Sequence, residues 1–276
     1  MKLAVGYVVF DSLETLEYSL KSIRPNADIV IVSYQLISWR GLPASNELLP
    51  TLQKLKSIGL IDHLIEFKEF EPSYLRSPGE VMMAKQFELR KRQGCLDLAR
   101  SLGATHYTSM DADEFYRGSE LAWAKKEIEE NSLDATAVRY INYVTPTLNR
   151  GYSRWRVPFI YKITPTCKHY GGQKLFSGVD PTRGLFDESY SKIRIFEQDK
   201  ITMHHMEMVR KDLYSKYHNA SRFFERRQNL REVERDIKES LETGVLRFKG
   251  QHLGDSDNPR EEYPLFPCEN EFNIDF

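Results

Sequence analysis

The residues Asp111-Ala112-Asp113-Glu114 place two carboxylates one position apart, with a third directly after. On extended backbone, residues i and i+2 point to the same side, so Asp111 and Asp113 can face one ligand together. Their hard oxygen atoms suit a magnesium- or manganese-class ion. Such an ion can hold a diphosphate and neutralise the charge that develops when a phosphate group leaves. The same four residues also read as a solvated acidic turn whose carboxylates cap a helix.

A second chemistry-bearing pair is His204-His205. Adjacent strand residues face opposite sides, so only one of the two imidazoles can join Asp113 at a shared cation. Imidazole is an acceptable partner for carboxylate oxygens around manganese. Arg210 and Lys211 follow closely and are placed to reach an anionic ligand and stabilise a leaving group. A third pattern covers 135–179, which holds no Asp or Glu. Arg139, Arg150, Arg154, Arg156, Lys162, Lys168 and Lys174 are interleaved there with aromatics that include Tyr152, Trp155 and Tyr170. Aromatic faces stack on sugars or bases, and cations neutralise phosphates. An acceptor cleft is one reading; core aromatics with snorkelling basic residues is the other.

The elements that must position these residues alternate in type. Leu3 to Phe10 is β-branched and aromatic, and Asp11-Ser12 offers a helix cap before Leu13, Leu16, Leu20 and Ile23 at helical spacing. Strands are expected at 28–33 and 61–67, with a helix over 47–58 between them. A polar-rich helix spans 80–102, interrupted near Gly94 and ended by Gly103. A fourth strand, 105–110, leads straight into the acidic residues. This rhythm argues for a parallel sheet flanked by helices, in which ligands bind beyond the carboxyl ends of the strands. Further strands are expected at 135–143, 157–163, 192–196 and 201–206, then a long charged helix over 210–242 and an extended tail. The expected division is 1–209 for the main domain and 210–276 for a helix and tail packed on it.

Composition bounds the class. Hydrophobic residues make up 41% and charged residues 29%, which excludes a mainly disordered chain. A formal charge of -1 gives no whole-chain attraction to nucleic acid or anionic lipid, so such a partner needs a local patch. Cys95, Cys167 and Cys268 are odd in number and widely spaced, which suits a reducing compartment, and the apolar run at 3–10 is about half a membrane span. The expectation is a cytoplasmic protein without a membrane span.

The strand-helix-strand opening, the segment Lys91-Arg92-Gln93-Gly94 and the motif Asp111-Ala-Asp-Glu-Phe115 resemble glycosyltransferases of the GT-A fold. The similarity is greatest to family-2-like members with a D-x-D-E-F motif, including those of phages and large viruses. Val179-Asp-Pro-Thr-Arg183 and Met203-His-His-Met206 are similar to the same group, so the resemblance spans residues 2–220. It implies a Rossmann-like, mixed and mainly parallel sheet with a C-terminal helical extension. It also implies a nucleotide-sugar donor, UDP-linked in the first instance, and a Mn2+ or Mg2+ cofactor. By position, Asp111 would contact the ribose or a metal-bound water, and Asp113 would ligate the metal. The backbone from Val8 through Val9 to Asp11 would flank the base, and Arg92 and Gly94 would approach the nucleotide. Gln93 departs from the Asn of many relatives. A metal-binding histidine is common in such enzymes, and His204 is preferred over His205.

The implied reaction moves a hexosyl or pentosyl group to a hydroxyl of a carbohydrate or other acceptor, with modified DNA as an alternative. An inverting enzyme needs a general base. Asp180 comes first, then Asp187 and Glu188, with Arg183 in the same turn as Asp180. A nucleotidyltransferase or phosphohydrolase using the same carboxylate-metal logic remains open. So does a non-catalytic binding protein, although the intact acidic and histidine motifs speak against it. Oligomeric state is not legible.

Overall fold

The computed structural model describes residues 1–38, 41–68, 80–177, 180–211, 235, 238–239, 241–248 and 261–275. The chain opens with strand β1 (Leu3–Val9), helix α1 (Leu13–Ile23) and strand β2 (Ile29–Tyr34). Helix α2 (Leu48–Ser57), strand β3 (His63–Glu66), helix α3 (Glu80–Ser101) and strand β4 (His106–Asp111) follow. These four strands lie parallel in the order β3-β2-β1-β4. The expected α/β architecture, a mixed sheet with a parallel centre and helices on its faces, is present. α1 buries Leu16, Leu20 and Ile23 on one stripe, the spacing that predicted it. Ser12 stands at its N-cap but with left-handed backbone and no side-chain cap bond.

Two expectations are corrected along α3 and beyond it. The helix runs unbroken through Gly94, because an internal glycine costs a helix only about 1 kcal/mol. It ends as expected near Gly103, whose φ of 73° suits a residue without a Cβ. Helix α4 (Gly118–Glu130), absent from the expectation, buries Leu121, Ala124 and Ile128.

The second half of the sheet is built by one long hairpin. Strand β5 (Glu114–Phe115) precedes α4; strands β6 (Ala135–Thr145) and β7 (Leu148–Lys162) follow it and pair antiparallel. β7 is far longer than the expected 157–163. Its Pro158, which cannot donate to a ladder, sits beside a register shift between Ala135 and Ala137 on the partner strand. β7 joins β4 antiparallel, so the two halves form one sheet. Short strands β8 (Lys168–His169) and β9 (Leu185–Phe186) pair with each other. Strand β10 (Ile193–Ile195) pairs parallel with β6, and strand β11 (Thr202–His205) runs parallel to β6 and antiparallel to β5. The long helix expected over 210–242 falls largely outside the described residues. Strands β12 (Val245–Phe248) and β13 (Glu261–Pro264) form a separate pair, and β14 (Phe266–Pro267) adds to β7.

Cores lie on both faces of the sheet. One joins alternate residues of β1 and β2 to α1, α2 and α4 through Val5, Tyr7, Leu16, Leu52 and Ala124. The other packs Ala4, Ile31 and Tyr107 under Cys95, Leu96 and Ala99 of α3. At Gly6 of β1 a Cβ would collide with the Tyr107 hydroxyl and lie 2.8 Å from the Cys95 Cβ. Among the described residues no helix is long and apolar enough to cross a membrane.

Candidate active site

β4 carries Asp111 to the carboxyl end of the parallel strands. The chain then turns through Ala112-Asp113 and re-enters the sheet as β5. The Asp111 N–H donates to Glu114 Oε2 at 3.0 Å, which fixes the turn from inside. β5 pairs with β11, setting His205 opposite Glu114 and His204 opposite Phe115, and the Met206 N–H donates to the Asp113 carbonyl at 2.7 Å. The acidic turn and the histidine strand are therefore held together by backbone.

The two histidines face opposite ways, and His205, not the preferred His204, is the one that lies toward Asp113. His204 is buried with Phe272 against its ring, and one ring nitrogen is 2.8 Å from the Tyr143 hydroxyl. Burial, reinforced by Arg117, lowers its pKa to about 4, so the imidazole is neutral. His205 instead places Nε2 3.7 Å from Asp113 Oδ1, while Nδ1 lies 2.8 Å from the Asn142 side-chain oxygen. His205 is the one brought to the carboxylates, and His204 belongs to the core.

Three arginines surround the acidic turn. Arg92 on α3 donates to Ser109 Oγ at 2.7 Å, to Glu88 Oε1 at 2.8 Å and to Asp111 Oδ1 at 3.0 Å. Arg183 bonds Asp111 and Glu114 through its two Nη atoms and reaches Asp180 Oδ2 from Nε at 3.3 Å. Arg210 donates to Asp113 Oδ2 at 2.7 Å and to Asp11 Oδ1 at 3.4 Å. Burial opposes the charge on Arg92 and Arg183, but Asp111 with Glu88 or Glu114 more than offsets it, and both guanidiniums stay protonated. Burial raises the Glu114 carboxyl above its ordinary range, with Arg183 opposing.

Lys91, beside Arg92, is also buried. It donates to the Val9 carbonyl at 3.2 Å and to Gln35 Oε1 at 3.3 Å, joining the ends of β1 and β2. Burial lowers its amine to about 8. Lys91, Glu88 and Gln35 were not anticipated; the basic run 90–92 was the one signal, and it does not say which cation turns inward.

The other expected residues divide. β1 ends at Val9, which accepts from Lys91, and Asp11 two residues on meets the cluster through Arg210. Asp180 belongs to it through Arg183, and also accepts the Thr182 N–H and hydroxyl at 2.8 Å. Asp187 does not: it accepts the hydroxyls of Thr164, Thr166 and Ser189 at 2.5, 2.6 and 2.6 Å, locking the loop after β7. Those hydrogen bonds, Ser189 first, hold its carboxyl well below the usual range. Glu188 is exposed, with nothing drawing it to the acidic turn. Gly94 lies inside α3, where a Cβ would meet nothing within 4 Å, so no close approach requires it. The Gln93 amide donates to Asp97 within α3 at 2.8 Å, and its oxygen accepts the His169 N–H at 2.9 Å, which ties α3 to β8. The Lys211 N–H turns to Glu14 at 3.3 Å. Trp155 stands on β7 with 43% of its surface exposed.

Among the described residues, no group of three or more His, Cys, Asp or Glu side chains is placed to hold a metal ion. Both oxygens of Asp111 are engaged by arginines. Asp113 Oδ1 and His205 Nε2 face each other at 3.7 Å, and two such donors fit an ion with few protein ligands whose other positions go to phosphate and water.

No family model matches the chain, and no curated protein matches it. Among solved structures it is similar to S. aureus TarS 1-349, at 13% identity and a TM-score of 0.45, over 75% of this chain and 61% of that one. Two further TarS 1-349 structures, in complex with UDP and with UDP-GlcNAc, match at 14% identity and a TM-score of 0.37. Each of those covers 52% of this chain and about a third (36% and 35%) of the other, so this chain spans well under two thirds of their length.

Proposed function

We propose that the chain is a glycosyltransferase of the GT-A type that takes a sugar from a nucleotide-sugar donor, UDP-linked first, and passes it to a hydroxyl acceptor. One observation carries this reading. Asp111 and Asp113 stand at the carboxyl tip of a central parallel strand, bonded to Arg92, Arg183 and Arg210, with the ends of β1 and β2 beside them. Ligands of open α/β sheets bind at this place.

The roles follow from position. The nucleotide lies over Val9, Asp11 and the Lys91–Gln35 pair. Asp113 and His205 would hold a manganese or magnesium ion, which when bound supplies charge neutralisation to the departing diphosphate. Arg210, buried between Asp11 and Asp113, is placed to exchange a carboxylate for a phosphate oxygen, a shift its planar fork suits. Asp180 is the general-base candidate, since Asp187 is spent on three hydroxyls and Glu188 lies apart. Arg183, whose Nε lies 3.3 Å from Asp180 Oδ2, holds that carboxylate at the acidic turn.

The test is a panel of nucleotide sugars with manganese, scored by thermal shift and by slow release of nucleoside diphosphate without acceptor. Release of UDP from one UDP-sugar supports the transferase. Release of inorganic phosphate or pyrophosphate would move the chain to the phosphohydrolase or nucleotidyltransferase class. No response to any donor would end the reading.

A further inference from the structure

Arg139 on β6 and Arg156 on β7 are cross-strand partners in the sheet register. Like charges set directly opposite one another destabilise a sheet, so this pair costs the fold something. Elsewhere the protein pairs its guanidiniums with carboxylates: Arg24 with Asp62, Arg117 with Glu271, Arg194 with Glu127, and the three at the acidic turn. Arg139 and Arg156 have no such partner among the described residues, and 135–179 contains no Asp or Glu to provide one. Both are half-buried, and Arg156 Nε is a buried donor without an acceptor. A buried donor left unpaired is costly, and one that sits beside a second guanidinium of like charge points to an anion that completes both.

The register places the pair beside the site. Two residues back along the hairpin, Ala137 opposes Pro158, whose Cγ would lie 3.9 Å from a Cβ on Gly184, the neighbour of Arg183. The pair therefore continues the sheet face that carries Asp111 and Arg183. Tyr140, one residue on, turns the other way and meets the His205 ring with centroids 6.0 Å apart. A diphosphate held at Asp113, His205 and Arg210 thus lies on the other side of the strand from Arg139. The anion the pair takes is a second one.

We propose that Arg139 and Arg156 form a phosphate-binding subsite for the acceptor, so that the sugar is delivered to a hydroxyl of a phosphorylated molecule. This rests on the glycosyltransferase reading and names the acceptor's chemical class. Guanidinium forks match phosphate oxygens two at a time. Exposed Tyr152, an even number of residues from Arg156 on the same strand, offers a flat apolar face for the uncharged part of the acceptor.

The experiment titrates the full chain, saturated with UDP, with inorganic tripolyphosphate in a calorimeter. The variants are Arg139→Gln, Arg156→Gln and the double substitution. Binding that weakens with salt and falls about tenfold or more in each single variant supports the subsite. UDP affinity stays unchanged and Tm holds or rises, since a repulsion has been removed; a structural role would lower Tm instead. Tripolyphosphate that ignores the UDP-loaded protein, or binds every variant equally, overturns the proposal. A parallel loss of UDP binding also overturns it, by giving the pair to the donor. If UDP fails to bind the unaltered chain, the donor reading has failed separately, and the same titration without UDP still decides whether the arginine pair binds phosphate.

Discussion

Asp113 and His205 depend on each other through backbone, not through sequence proximity. Asp113→Asn keeps the shape of the side chain and removes its charge, and the expected result is at least a hundredfold loss of donor cleavage, of the order seen when one charge-stabilising group is removed. A steady-state assay with manganese reads it, and retained activity would remove Asp113 from the site. His205→Ala should weaken manganese binding, measured by calorimetry in the presence of UDP, whereas His204→Ala should leave it intact and lower Tm. The opposite ranking would return His204 to the site. Alternation of strand residues made it legible that the two histidines part company. It did not say which one turns inward, because that depends on which strand pairs with 204–205. β5 is two residues long and carries no sequence signal of its own.

At the scale of elements, Arg183 connects the turn at 180–183 to β4 and β5 in one step. Arg183→Ala leaves buried Glu114 and half-buried Asp111 without their shared cation, and urea unfolding should show a loss of about 3–5 kcal/mol. Arg183→Lys should not restore it, because one ammonium cannot span three carboxylates in the way a fork does. The C-terminal residues make a second such link. Phe272 packs on Phe115 and His204, and Arg117 bonds both oxygens of Glu271. Phe272→Ala should cost about 2 kcal/mol in the same measurement through lost apolar burial. The first four strands and three helices were legible because their apolar spacing is strong and their ends carry turn residues. β7 was foreshortened because 148–156 holds Arg150, Gly151, Arg154 and Arg156 and has no continuous apolar run, so the expected strand began only at Val157. α4 buries Leu121, Ala124 and Ile128, with Trp123 half-buried against the same core, a stripe too narrow to stand out among its charges.

Over the whole molecule, neutral buried histidines set the acid limit. Burial lowers His169 to about 3, with Arg92 adding to it, and lowers His106 to about 4. Both are near 6.5 in the unfolded chain, which therefore binds more protons than the folded one between these values. Stability is complete above pH 6.5 and is lost as pH falls toward 4. Tm followed across that range should decline, and His169→Phe should flatten the decline; a flat profile in the unaltered protein would contradict the burial of these rings. Gly6 has a consequence of a different sort. The space that it leaves open is filled by a tyrosine from β4 and a cysteine from α3, so no L-residue with a Cβ fits there. A chimera that imports β1 from another protein must bring β4 and α3 with it. Those three segments are inherited as a block or not at all.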